Sequence, residues 1–252
     1  MNGNNINIIN SIDDIIVEED NEEFEMLKNY FWFVNTVLIE KLIKYFDIND
    51  TKTIIDIGGG TTYRFPFTTH TIDCYEELSK NIYNVDIDFD RYPFIDKQFY
   101  FSFCRHTLED IQNPNNAFNE IIRTSERGYI ETPSPMVEIS KNVVNVINNM
   151  SGYIHHRYIV WSEKETNTLY FLPKYPVLEY IIFKNTKKFN YVLNNYPIYW
   201  NNYYIWDDVN KPNIFVYRHG INFTIDDDYI NILNRAIYKS FEYTNILSKI
   251  IQ

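Results

Sequence analysis

The chain has 252 residues, 45% apolar and 17% aromatic, with a formal net charge of −11 and a pI near 4.9. That is enough apolar material for one large α/β core, and the negative balance argues against binding nucleic-acid backbones, which attract cationic surfaces. A small-molecule or glycan partner fits this charge better.

The amino-terminal stretch MNGNNINIINSIDDIIVEED lacks a basic start and an apolar centre, so residues 1–21 read as a flexible acidic arm rather than a signal peptide. No run reaches the length of a membrane span. From 22 to 46, Phe24, Leu27, Phe31, Val34, Leu38, Leu42 and Phe46 recur at three- and four-residue spacing, which predicts an amphipathic helix. TKTIIDIGGG follows, a β-branched run stopped by glycines, and HTIDCY, IYNVDID, QFYFSFC and RGYIET are four more short apolar runs. Between the last two, Asn113 is placed to cap a helix and Pro114 to occupy its first turn. The alternation predicts a doubly wound, mainly parallel sheet with helical crossovers.

Further along, a helix is expected over 135–149, strands over 158–161, 168–172 and 213–218, and a closing helix over 227–250. One domain, 22–252, is expected, with a core over about 50–175 and an extension over about 176–252. Asp226, Asp227 and Asp228 read as the charged start of the last helix, not as metal ligands. Cys74 and Cys104 show no CxxC spacing and no histidine cluster, so neither a disulfide framework nor a metal site is indicated, and a reducing, cytoplasmic compartment is the default. The oligomeric state is left open.

A strand, a glycine turn and a helix start together form an anion or nucleotide site, because bare backbone can approach the ligand with free amides pointing at it. In DIGGGTTY the dinucleotide pattern GxGxxG would need a glycine at Tyr63, which is absent. An acid instead stands two residues before the first glycine, Asp56 before Gly58, and in this the turn resembles methyltransferase-type loops, a likeness that implies S-adenosylmethionine.

The stretch from NVDIDFDRYPFIDKQFYFSFCRHTLEDIQNPNNAFNEIIRTSERGYIETPSP resembles class I methyltransferases of the type 11 group. GYIETPSP followed by HHRYIVWSEKETNTLYFLPK is similar to a subgroup associated with glycan modification. The likeness runs over about 50–175 and implies a Rossmann-like methyltransferase domain that uses S-adenosyl-L-methionine. Carried over by position, it implies that Gly58 and Gly60 cradle the cofactor with Asp56 orienting the loop. It further implies that Asp73 accepts the ribose hydroxyls, that Asp86 and Ile87 flank the adenine, and that Cys104 lines the site. Arg105, Glu131, Arg157 and Tyr158 would contact the acceptor, and His106, His155 and His156 are the candidate proton acceptors. The chain departs from the pattern at Thr62 in place of a third loop glycine, at Tyr100 and at Asp110, and its first crossover is short for a helix.

The activity implied is O-methylation of a sugar or another small polar acceptor. The alternatives are a methyltransferase-like scaffold that has lost its ligand, and a nucleotide-sugar-modifying enzyme with a different nucleotide. Each candidate also has a plainer reading. His106 could simply hydrogen-bond its own loop, the segment from His155 to Tyr158 could be a lid contact, and Glu109 could serve local hydrogen bonding. Tyr199, Trp200, Tyr203, Tyr204 and Trp206 could stack on sugar, but in so aromatic a chain ordinary packing is the stronger expectation.

Overall fold

The short β-branched runs become strands in the expected order. The computed structural model describes residues 6–17, 27, 34–59, 64–74, 81–143, 150–217 and 228–251. In chain order these hold α1 (Thr36–Tyr45), β1 (Ile54–Ile57), β2 (His70–Asp73), β3 (Ile82–Asn84), β4 (Phe99–Arg105), α2 (Pro114–Thr124) and β5 (Ser125–Pro133). There follow α3 (Pro135–Ile139), β6 (Tyr158–Glu163), β7 (Thr168–Pro173), α4 (Thr186–Asn195), β8 (Asn201–Trp206), β9 (Asn213–Val216) and α5 (Asp228–Ile250).

The main sheet is ordered β3-β2-β1-β4-β5-β8, parallel throughout except for β8, which runs antiparallel to β5. This is a doubly wound, Rossmann-like sheet. Side chains alternate across it, so Phe101 and Phe103 face one side, where Phe46 at the end of α1 lies 5.2 Å from Phe101. Ile130 and its partner Tyr204 face the other side, where Phe118 of α2 lies 6.0 Å from Tyr204. A smaller sheet, β6-β7-β9, leans on β8: the Ser162 N–H donates to Asn202 Oδ1 at 3.0 Å. Helix α5 covers the outer edge of β8, where the Ile205 N–H donates to the Tyr243 hydroxyl at 3.1 Å. An edge satisfied in this way offers no template for further strands.

Local chemistry sets the element ends. Asn113 Oδ1 accepts the Asn116 N–H and Pro114 opens α2, as the sequence suggests. The helix expected over 22–46 begins only at Thr36, because Asn35 caps it through the Leu38 N–H at 3.1 Å. Val34 precedes that cap, and residues 22–26 and 28–33 lie outside the described residues. The helix expected over 135–149 stops at Ile139: Ser140 adopts extended backbone and Lys141 bridges to Ser151, while 144–149 lie outside the described residues.

Between β1 and β2 the described residues contain no helix. Phe65 fills the space instead, stacking 5.3 Å from Phe101 and 4.7 Å from Phe103. The tail aromatics Tyr199, Trp200, Tyr203, Tyr204 and Trp206 are all buried, so they are packing rather than a sugar-stacking surface. Among the described residues, no helix is long and apolar enough to cross a membrane.

Gly128 is where β5 lets the indole of Trp206 approach closely. A Cβ there would sit 2.3 Å from Trp206 Cη2 and 2.4 Å from Ser102 Oγ. Gly128→Ala should therefore lower stability by about 1–3 kcal/mol through overpacking, read as a lower urea midpoint with unchanged slope. An unchanged midpoint would contradict this packing.

Candidate functional site

The carboxyl ends of β1, β2, β4 and β5 meet where the strand order reverses, with β2 on one side of β1 and β4 on the other. Open α/β sheets hold their ligands at such a crevice. The chain leaves β1 through Gly58, at φ +68°, with its N–H donating to the Ile72 carbonyl at 2.8 Å. A Cβ on Gly58 would fall 2.2 Å from Thr107 Oγ1, and one on Gly59 would fall 2.6 Å from Asp56 Cγ. Gly58 therefore needs glycine for conformation and for space, and Gly59 for space. Gly60 and Thr62 lie outside the described residues.

Asp56 is buried beneath this turn and accepts the Phe65 N–H at 3.2 Å. Burial pushes its carboxyl up to about 7, only partly offset by that hydrogen bond and by Arg64. That bond ties the chain after the turn back to β1. Asp73 closes β2, largely buried, with a hydrogen bond to the Cys74 thiol. Asp86 lies exposed beyond β3, its Oδ1 accepting the Asp88 N–H at 2.9 Å, and Ile87 is buried beside it. Cys104 is fully enclosed in β4, and burial pushes its thiol well above the usual range.

At the ends of β4 and β5 the sequence-predicted residues come together. Arg105 and Glu131 are register partners across the two strands, and Arg105 Nε donates to Glu131 Oε1 at 2.8 Å. Asn201 of β8 donates to the same oxygen at 2.7 Å, and the Tyr129 hydroxyl donates to Oε2. His106, at φ +51°, turns its ring back between two carboxylates: Nδ1 is 3.3 Å from Glu109 Oε1 and Nε2 is 3.4 Å from Glu131 Oε1. Burial alone would lower the imidazole pKa, but the hydrogen bonds and charges of Glu109 and Glu131 outweigh it and raise the value. Glu131 is shifted the other way: burial would raise it, and His106 and Arg105 together hold it below its ordinary value. Both shifts favour the charged forms of the pair.

The segment carrying His155 to Tyr158 folds onto the loop after β4. The Arg157 and Tyr158 N–H groups donate to the Glu109 carbonyl at 2.8 and 3.2 Å, Arg157 Nε donates to the Asp110 carbonyl at 2.9 Å, and the Tyr158 hydroxyl donates to Gln112 O at 3.1 Å. His156 is buried and His155 exposed. Sequence reasoning undervalued Glu109, whose side chain and carbonyl serve both groups. It missed Glu138 and Tyr153, which contact His156, Lys174, which pairs with Glu138, and Asp88, which accepts the Gln112 and Asn113 N–H groups at 2.6 and 2.7 Å and so anchors the start of α2. Only the acid-rich run NVDIDFD hinted at Asp88.

No protein-family model matches the chain, and no curated protein matches it. Among solved structures it is similar to a SAM dependent methyltransferase from Aquifex aeolicus, at 20% identity and a TM-score of 0.32, over 38% of this chain and 64% of that one. It is also similar to an S-adenosylmethionine dependent methyltransferase from Mesorhizobium loti, at 12% identity and a TM-score of 0.32, over 41% of this chain and 57% of that one. The chain spans less than two thirds of either structure's length.

These buried groups tie stability to pH. His106, with its raised pKa, contributes stability that is complete below its unfolded value and lost as pH rises through the folded one. Asp56, at about 7, keeps its proton where the unfolded chain has lost it, which acts in the same direction. Glu131 and Glu138, both lowered, stabilise above the ordinary carboxylate value and lose that effect as pH falls through their folded values. The urea midpoint should therefore decline as pH rises from the ordinary carboxylate range through about 7 and on through the raised imidazole value, and fall again in stronger acid. Asp56→Asn should flatten the upper decline; a midpoint rising through neutrality would contradict the assignment.

Proposed function

We propose that the chain is an S-adenosyl-L-methionine-dependent methyltransferase acting on a hydroxyl of a sugar or similar small polar acceptor. The observation that carries this reading is the crevice at the strand-order reversal, where a glycine turn with no room for a Cβ leaves β1 next to the strand that Asp73 closes. The residues fit the cofactor. Gly58 and Gly60 would pass beneath its amino-acid part, Asp73 would accept both ribose hydroxyls as a carboxylate can, and Asp86 and Ile87 would flank its base, with Cys104 in the wall. When bound, S-adenosylmethionine supplies the methyl group as an electrophile on a sulfonium.

The chain's own task is then to align the acceptor and remove its proton. A polar rim of Arg105, Glu131 and Asn201 beside His106 supports a small hydroxylated acceptor over an apolar one. His106 was expected as the base, but its ring sits between two carboxylates that favour its protonated form. We therefore place proton removal at the exposed His155 edge of the 155–156 segment, since Glu138 biases His156 as the glutamates bias His106, and give His106 an electrostatic role, with Arg157 and Tyr158 holding that segment against the loop after β4.

Isothermal calorimetry with S-adenosylhomocysteine tests the cofactor assignment. The folded protein should bind it near one-to-one, and Asp73→Ala should weaken binding by about tenfold or more through loss of charge-assisted hydrogen bonds, with the circular dichroism spectrum unchanged. No binding by the folded wild type would overturn the reading. Transfer of labelled methyl to free or nucleotide-linked sugars is the expected acceptor result, and transfer only to RNA or protein would overturn the acceptor class.

A further inference from the structure

The loop after β4 and the segment entering β6 bring together three side chains whose chemistry exceeds hydrogen bonding. One carboxylate oxygen of Asp110 and one ring nitrogen each of His155 and His156 lie within 4.8 Å of one another. Asp110 Oδ1 and His156 Nε2 are 3.9 Å apart, too far for a hydrogen bond. Two ligands each about 2.0–2.2 Å from a shared tetrahedral ion stand roughly 3.4 Å apart, so a small inward movement closes the site. Asp110 Oδ1 is buried with no hydrogen-bond partner among the described residues.

The surroundings of His156 are those of a metal ligand. Its Nδ1 lies 2.7 Å from Glu138 Oε1, and an Nδ1–H donated there leaves the Nε2 lone pair directed toward Asp110. Glu138 is itself fixed: buried at 1% exposure, it receives Lys174 Nζ at 2.7 Å, and Lys174 also donates to the Ser151 and Tyr153 carbonyls at 2.9 and 2.8 Å. Gly152, at φ +56°, lets the backbone pass so close that a Cβ would lie 2.5 Å from Glu138 Oε2. The Tyr153 ring backs both imidazoles, 4.8 Å from His156 and 6.0 Å from His155. A carboxylate–histidine pair set this firmly, aimed at a second carboxylate with an exposed histidine alongside, is the arrangement that second-shell groups impose on metal-binding histidines.

We propose that Asp110, His155 and His156 bind a divalent first-row transition ion, zinc foremost, as a three-ligand site with a coordination position left open. Imidazole and carboxylate together select such ions over calcium or magnesium, and three protein ligands are typical of zinc sites that bind a substrate or water. Resting on the methyl-transfer reading, such an ion would hold the acceptor hydroxyl as a Lewis acid and lower its pKa, so that the proton leaves to water at the exposed His155 edge while both imidazoles remain ligands. Binding of the ion does not depend on that reading.

The test is titration of chelator-treated protein with zinc chloride by calorimetry, and with cobalt(II) by absorption spectroscopy. The expected result is about one equivalent per chain, with cobalt d–d bands of tetrahedral intensity. His155→Ala and Asp110→Asn should each weaken zinc by about tenfold or more with unchanged melting, and Glu138→Gln, a positioning change, should weaken it by about 10- to 100-fold. Because His155 is exposed, its variant keeps the test meaningful if changes at His156 disturb folding. No zinc uptake by the wild type, or wild-type affinity retained in both His155→Ala and Asp110→Asn, would overturn the proposal. Titration of the same samples with S-adenosylhomocysteine separates the two readings: zinc uptake without S-adenosylhomocysteine binding sinks the cofactor reading and upholds the metal site, and the reverse result does the opposite.

Discussion

Everything at the carboxyl end of this sheet depends on keeping Glu131 ionised while buried. A carboxylate removed from water costs several kcal/mol unless its lone pairs are filled, and here Arg105, Asn201, Tyr129 and His106 all converge on it. Each donor comes from a different structural decision. Strand register places Arg105 opposite, two-residue periodicity places Tyr129 on the same face, an antiparallel edge strand brings Asn201, and a left-handed residue turns the His106 ring back. Loss of any one would leave charge in a site that cannot hydrate it.

A second buried acid, Glu138, repeats the arrangement with His156 and Lys174. The two centres are joined by the loop after β4. Glu109 gives its carboxylate to His106 and its carbonyl to the backbone of Arg157 and Tyr158, while Asp110 faces His156. The crevice floor and the segment over it are thereby one polar network, which rigidifies a region that irregular backbone would otherwise leave loose.

The parallel strands were legible because buried strands of such a sheet read as short apolar runs, and α2 because Asn113 and Pro114 announce it locally. Gly58, Asp56 and Asp73 were legible as turn and strand-end chemistry. Other features were hidden for a common reason: their causes are not local. NNYYIW does not look like a sheet edge until Glu131, 70 residues away from Asn201, supplies the partner. The apolar spacing that runs through Val34 hides the cap at Asn35, since periodicity is blind to one side-chain hydrogen bond. Glu138 reads as an ordinary helix residue, and only tertiary structure shows it buried beneath His156. The charge state of His106 was equally out of reach, because it is set by two glutamates on separate elements.

The antiparallel strand β8 also bears on the order in which the molecule can be made. The strands through β5 emerge first during synthesis, yet Glu131 lacks Asn201 until β8 has left the ribosome, and β8 has a bare edge until Tyr243 of α5 arrives. Domains fold as units once their elements are available, and contacts distant along the chain form late. The last quarter of the chain is therefore no appendage: until it is synthesised, the nascent protein carries an incompletely paired acid and an uncovered sheet edge, the species that chaperones exist to shield.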